Sequence, residues 1–222
     1  MNKPDVIIYS HGFGVRKDDK GLFTDIAAAL PGIRHEMVEF NKIDEEAGTL
    51  FVPPLQQQAG VLSEAVRRLR NDYSGATIDL IAHSQGCVVA ALAELTGIRN
   101  VILLAPPSEL DADRRVKKYG SRPGAQMDLS GVSRVPNSDG TAKLIPAEFW
   151  QGLRELEPIE LYVQLSRHIN VVLVEAANDE VALPLPASVK AALAVQSLGA
   201  NHDFSGTARS GLIDLIKKEI GA

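Results

Sequence analysis

The chain has 222 residues, 45% of them apolar and 23% charged, with a formal net charge of −5. That size and balance fit one sizeable globular α/β domain and leave no stretch with the composition of a second domain or a long disordered linker. The acidic balance gives no electrostatic reason to bind a phosphate backbone, so nucleic acid is not an expected partner, and a single cysteine, Cys87, excludes an intrachain disulfide and suits a reducing compartment.

The N-terminal stretch "MNKPDVIIYSHG" has no extended apolar core followed by a small-residue cleavage site and no run long enough to span a bilayer. A cytoplasmic protein without a membrane span is expected. Apolar runs rich in β-branched residues then recur as "VIIYS" at Val6, "RHEMVEF" at Arg34, "TIDLIAH" at Thr77, "VILLA" at Val101 and "INVVLVEA" at Ile169, and these read as mostly buried strands. Segments with helical spacing lie between and after them: "GLFTDIAAAL", "LQQQAGVLSEAVRRLRND", "GCVVAALAEL" and the closing "TARSGLIDLIKKEI". Strand and helix alternate, which implies βαβ units and a parallel sheet covered on both faces.

The alternation stops after "VILLAPP". From about 108 to 168 come a mixed charged stretch, "ELDADRRVKKYG", a Gly/Ser/Pro-rich portion, and a hairpin signal in which "VSRVP" and "TAKLIP" flank "NSDG". The final part, "PAEFWQGLRELEPIELYVQLSRH", has helical character broken by Pro158, with Phe149, Leu153 and Leu156 able to share a face. The stretch reads as an insertion forming a small cap over one edge of the sheet.

Two chemistries compete for the first turn, "YSHGFGVRKDDKGLF". Gly12 and Gly14 could open a dinucleotide-binding G-x-G-x-x-G turn, with Glu39 serving a ribose, but Lys17 stands where the third glycine lets helix and strand pack closely. The other reading makes "HGFG" a loop whose backbone N–H groups face a reacting carbonyl oxygen, with His11 a structural residue bonded to backbone.

The second chemical signal is Ala82-His83-Ser84-Gln85-Gly86. It matches the G-x-S-x-G nucleophile elbow except for alanine at the first position, and a buried strand precedes it while a helix follows. A serine helix cap would fill the same place without chemistry. A nucleophilic serine needs a base held by a carboxylate. Of the five histidines, His35 falls inside a strand, His83 should point away from the serine through the turn, and His168 sits at a strand's far end. His202, in "LGANHDFSG" before the last helix, is the base of choice. Asp179, just beyond the strand "INVVLVEA", is the preferred carboxylate because ligands of open parallel sheets gather at the C-terminal strand ends. Glu180 is its rival, and Asp203 is too near His202 in sequence to buttress the ring.

Other features read as structure. Cys87 falls on a buried helix and packs as a core thiol, the "RRVKK" cluster beginning at Arg114 is a solvated cap surface, and Trp150 with Phe149 either lines a pocket or anchors the cap. No His, Cys or carboxylate spacing fits a metal site, and neither metal nor cofactor is expected.

The order Ser84, Asp179, His202, preceded by "HGFG", resembles the α/β-hydrolase family over nearly the whole chain. Within it, "HGFGVRKDDKGLFTDIAAAL" and "IPAEFW" look most like small serine esterases related to cinnamoyl and feruloyl esterases and to acylglycerol lipases. The resemblance implies one domain over 1–222, a mostly parallel sheet with helices on both faces, and a cap over about 108–168. It also implies hydrolysis of small to medium acyl or aryl-acyl esters through an acyl-enzyme, with the oxyanion held by the backbone N–H groups of Phe13 and Gln85. The same triad would serve a thioesterase, an amidase or a lipid-ester lipase, and the same fold could bind a ligand without turnover.

Overall fold

In the computed structural model, which describes residues 3–222, the first half of the chain forms β1 (Val6–Ser10), α1 (Leu22–Ala28), β2 (Arg34–Val38), β3 (Lys42–Asp44), β4 (Thr49–Phe51), α2 (Leu55–Asp72), β5 (Ile78–His83), α3 (Gln85–Leu92) and β6 (Ile98–Leu104). The second half forms α4 (Ala112–Gly120), β7 (Val132–Pro136), β8 (Ala142–Pro146), α5 (Ala147–Arg154), α6 (Pro158–Ser166), β9 (Asn170–Ala176), α7 (Ala187–Ala192), β10 (Ala194–Leu198) and α8 (Ala208–Ile220). Met1 and Asn2 of the N-terminal segment lie outside the described residues.

Six strands make one sheet in the order β10-β9-β6-β5-β1-β2, every neighbouring pair parallel. Because side chains alternate across a strand, each inner strand feeds two cores. Val6, Ile8, Leu80, Ala82, Leu103 and Leu173 pack with α2, α3, α5 and α6, whereas Ile7, Tyr9, Ile81, Ile102, Leu104 and Val174 pack with α1 and α8. A sheet buried on both faces needs the continuous apolar runs seen in the sequence.

A second sheet, ordered β3-β4-β8-β7, joins the 108–168 stretch to an earlier segment of the chain. The β7–β8 hairpin is antiparallel as its turn residues imply, but β8 pairs with β4, which precedes α2 in the chain. Moreover, Phe149, Trp150, Leu153, Tyr162 and Leu165 belong to the same buried cluster as the main sheet. The 108–168 stretch is therefore sewn to the body at the β4 edge and through α5 and α6. Pro158 starts α6 at its first turn, where a missing N–H costs nothing.

The chain runs outward from β1 to β2, returns to β5 on the other side of β1, and then proceeds through β6 and β9 to β10. Loops leaving β1 and β5 at their C-terminal ends thus diverge, and the crevice between them is the switch point where open α/β sheets bind ligands.

Candidate active site

Ser84 joins β5 to α3 with φ 52° and ψ −125°, a conformation that costs a non-glycine residue about 1–3 kcal/mol. Its neighbours enforce it. The Ser84 N–H donates to the Leu104 carbonyl at 2.8 Å, continuing the β6 pairing into the turn. Ser10 Oγ donates to the Gly86 carbonyl at 2.9 Å, tying the end of β1 to the start of α3. A Cβ at position 86 would lie 2.1 Å from the Ser10 carbonyl oxygen, so only glycine lets the helix approach β1 this closely. Ser84 occupies the N-cap position of α3 but makes no side-chain capping bond. Its hydroxyl lies instead 2.8 Å from His202 Nε2.

His202 follows β10 in the loop leading to α8, and its ring is buried. Nδ1 lies 2.8 Å from Asp179 Oδ2. With Nδ1–H donating to the carboxylate, Nε2 is left as the acceptor for the Ser84 hydroxyl. Asp179 stands three residues past the end of β9, and its other oxygen, Oδ1, accepts from the N–H groups of Val181 at 2.7 Å and Ala182 at 2.8 Å. Burial pushes its pKa up, but hydrogen bonds from His202 and from these two backbone groups outweigh that and hold the carboxyl below its usual range. An ionised, fixed carboxylate selects both the tautomer and the orientation of the imidazole.

The "HGFG" loop is held from beneath by a pair that the sequence did not reveal. Asp19 Oδ2 accepts from the Gly12 N–H at 2.8 Å and from His83 Nδ1 at 2.8 Å, while His83 Nε2 lies 3.0 Å from the His202 carbonyl oxygen. Both ring nitrogens of His83 therefore face acceptors, which requires a doubly protonated imidazolium. Burial alone would lower the His83 pKa, but Asp19 raises it; for Asp19 the penalty of burial is likewise outweighed by His83. One buried ion pair thus connects the loop after β1, the residue before Ser84 and the loop carrying His202. Asp19 has φ 48°, which aspartate and asparagine tolerate better than most residues.

With the Gly12 N–H taken by Asp19, the next two candidate donors stand apart: the backbone N–H groups of Phe13 and Gln85 make no hydrogen bond among the described residues. Gln85 is the first residue of α3, where an N–H has no intrahelical partner. His11 is buried and structural, as expected: Nδ1–H donates to the Gly12 carbonyl at 2.8 Å and Nε2 accepts from the Phe40 N–H at 3.2 Å.

The remaining sequence candidates have other partners. Glu180 Oε2 accepts the backbone N–H of His202 at 3.3 Å and does not meet its ring nitrogens, while Asp203 pairs with Lys20 at 2.9 Å. Glu39 accepts the N–H groups of Lys17 and Asn41, so the dinucleotide reading loses its ribose ligand as well as its third glycine. Cys87 is fully buried with its thiol pKa raised by burial. Phe149 and Trp150 are fully buried and do not line the cavity; Trp150 Nε1–H donates to Ser133 Oγ, which fixes α5 on the β7 strand. Two members of the "RRVKK" neighbourhood depart from a plain solvated surface, since Lys118 and the nearby Tyr119 line the cavity.

That cavity, about 700 Å³, opens over Ser84 and His202 and is walled by the Phe13 loop, the β3–β4 turn, α4 and the β7–β8 hairpin. Among the described residues no group of three or more His, Cys, Asp or Glu is arranged to hold a metal ion, and no helix is long and apolar enough to cross a membrane.

A parallel sheet with a serine on the turn after a central strand, a carboxylate after β9 and a histidine before the last helix defines the α/β-hydrolase fold. Solved structures share it across nearly the whole chain. The esterase domain of a Rhodothermus marinus protein is 19% identical, with a TM-score of 0.62 over 98% of this chain and 87% of its own. Est1E from Butyrivibrio proteoclasticus is 15% identical, with a TM-score of 0.63 over 100% and 90%. A structure of the metagenome-derived lipolytic enzymes LipS and LipT reaches 0.68 at 11% identity over 99% and 94%. No protein-family model matches the sequence, and no curated protein does.

Proposed function

We propose that the protein is a serine hydrolase of carboxylic esters, with Ser84 as nucleophile, His202 as general base and acid, Asp179 as the carboxylate that orients the imidazole, and the N–H groups of Phe13 and Gln85 as the oxyanion hole. The observation that carries this reading is the continuous hydrogen-bond line Ser84 Oγ to His202 Nε2, 2.8 Å, and His202 Nδ1 to Asp179 Oδ2, 2.8 Å, with Ser84 and His202 lining a cavity.

In the reaction, Ser84 Oγ attacks the ester carbonyl carbon as its proton passes to His202 Nε2, and the imidazolium formed is stabilised by Asp179. The carbonyl oxygen becomes an oxyanion. Two backbone donors with no protein partner to give up meet it without reorganisation, each worth about 3 kcal/mol in such sites. His202 then returns the proton to the leaving alcohol, and the acyl group stays on Ser84. Water, deprotonated by the same imidazole, attacks the acyl-enzyme, and collapse of the second tetrahedral intermediate releases the acid and restores the serine.

The names of several structural neighbours, an esterase domain and lipolytic enzymes among them, support ester hydrolysis. A panel of alkyl and aryl esters of graded acyl length, assayed with wild type and Ser84→Ala, tests the reading. Turnover by wild type that falls at least 10³-fold in the variant supports it. Turnover that survives in a folded Ser84→Ala protein removes it.

A further inference from the structure

The cavity over Ser84 is lined by many charged groups, and most of them are already matched. Arg16 pairs with Glu45 at 2.6 Å and Lys20 with Asp203 at 2.9 Å. Asp18 accepts the Gly21 N–H at 3.1 Å, Asp44 the Ala47 N–H at 2.9 Å, and Glu180 the His202 N–H at 3.3 Å. Three cations on the wall remain without a carboxylate at ion-pair distance among the described residues: Lys118 of α4, Arg122 just after α4, and Lys143 of β8.

Two of them, Lys143 and Arg122, are held in place by their neighbours. The Lys143 stem lies across the glycine loop: a Cβ on Gly14, where φ is 58°, would fall 2.3 Å from Lys143 Cε. A side chain at position 14 would displace the lysine, so the same glycine shapes the loop and seats the cation. The ammonium donates one proton to Asn137 Oδ1, a neutral acceptor, which leaves two N–H donors for another group. Arg122 stacks over the Tyr119 ring at 4.9 Å and reaches the Pro136 carbonyl, so its guanidinium is held in place on the same wall. Asp139, the acid of the β7–β8 turn, accepts at Oδ1 from both the N–H and the hydroxyl of Thr141. Burial first, then Arg122 and Lys20 nearby, push the Lys143 pKa down to about 8, and Asp139 only partly opposes them. Like charges that act on each other while partly withdrawn from water, offset only in part by Asp139, form a costly arrangement that an incoming anion relieves.

We infer that Lys143 and Arg122 form an anion subsite of the Ser84 cavity, and that the substrate is an ester bearing a carboxylate or phosphate on the part that reaches β8. The inference rests on the ester-hydrolase reading and sharpens its substrate class from esters in general to negatively charged ones. It accounts for the charged walls of the cavity, where a plain lipase would present an apolar acyl tunnel.

The test uses ester pairs that differ in one charge. Mono-4-nitrophenyl adipate against methyl 4-nitrophenyl adipate places the charge on the acyl half. 4-Acetoxybenzoate against its methyl ester places it on the alcohol half, and 4-acetoxyphenyl phosphate against its dimethyl ester distinguishes phosphate from carboxylate. The expected result at pH 7 and low salt is a kcat/KM for the charged member at least tenfold above its neutral partner in one or more pairs. That ratio should fall at least tenfold in Lys143→Gln and in Arg122→Gln, mostly through KM, and be largely kept in Lys143→Arg. Using the ratio removes any general loss of folding or of Ser84 reactivity.

No preference in any pair while the neutral esters are turned over, or an unchanged ratio in Lys143→Gln, would overturn the subsite and leave the hydrolase reading standing. If no ester of either kind is turned over, the hydrolase reading fails by itself. Calorimetric titration of adipate then decides the subsite: binding to wild type that disappears in Lys143→Gln supports it, and absent or unchanged binding overturns it.

Discussion

Asp19 and His83 form an ion pair 2.8 Å long in which each side chain is only 3% exposed, and neither side chain hydrogen-bonds to the Ser84 hydroxyl. The pair ties together the two loops beside it. Asp19 grips the Gly12 N–H next to Phe13, and His83 grips the carbonyl of His202, the proposed base. Removing one partner of a buried pair leaves the other uncompensated, at a typical cost of about 3 kcal/mol. Asp19→Asn, which suits the same backbone conformation, is expected to lose about that much stability in denaturant unfolding and to lower kcat more than it raises KM.

The pH dependence of that loss follows from the two shifts. His83 has a raised pKa, so the stability it contributes is complete below the unfolded value of about 6.5 and fades as pH rises through its folded value. Asp19 has a lowered pKa, so its contribution is complete above the unfolded value of about 3.9 and fades as pH falls through its folded value. The gap in unfolding free energy between wild type and Asp19→Asn should therefore be widest between about pH 4 and 6.5 and narrow toward both acid and alkali. Urea unfolding across that range checks it.

The strain at Ser84 gives a stability test independent of activity. Alanine removes the hydroxyl and keeps the disfavoured φ of 52°, whereas glycine removes both. After allowing about 0.5–1 kcal/mol for the added freedom of an unfolded glycine, Ser84→Gly should be more stable than Ser84→Ala by about 1 kcal/mol. A Ser84→Gly protein less stable than Ser84→Ala by about 0.5–1 kcal/mol would show that the turn is not strained.

Side chains and backbone donors can be separated at the oxyanion loop. Phe13→Ala and Gln85→Met keep their N–H groups and are expected to cost less than tenfold in kcat, although Phe13 also packs against Tyr119 and Phe149. Asp179→Asn, which spoils the tautomer of His202, should cost about 10³-fold or more in kcat with little change in KM. Steady-state kinetics on one neutral ester, with circular dichroism to confirm folding, orders the three.

Lys143 adds a pH signature on the substrate side. As pH rises through about 8 its ammonium loses its charge. The charged-to-neutral kcat/KM ratio of an ester pair should therefore decline between about pH 7 and 9 in wild type, and this decline should be absent in Lys143→Arg, whose guanidinium stays protonated.

The sheet was legible where burial on both faces forces apolar runs, as in "VIIYS" and "IDLIAH", and α2 was legible to the residue because its buried Leu55, Leu62, Val66 and Leu69 repeat at helical spacing. The edge strand β10, "AVQSL", was missed because an edge strand with half-exposed residues needs no such run. β3 and β4 are three residues each, too short for any period to show. α4 was read as charged surface because only Ala112 in it is fully buried.

The residues at the strand ends, Ser84, Asp179 and His202, could be chosen from sequence because a parallel sheet collects its loops at one edge. Asp19 could not. It sits in "RKDDK", which has the composition of a solvated loop, and only the fold brings it against His83, 64 residues away. Lys143 was hidden for a similar reason: it lies in a hairpin whose pairing with β4 depends on a contact between distant segments.

The most direct test of the central claim is labelling by a fluorophosphonate probe, followed by mass spectrometry of the digested protein. Covalent attachment at Ser84 in wild type, abolished in Ser84→Ala and strongly slowed in His202→Gln, is the expected result. A folded wild-type protein that takes up no label at Ser84, or label that persists in Ser84→Ala, would contradict it.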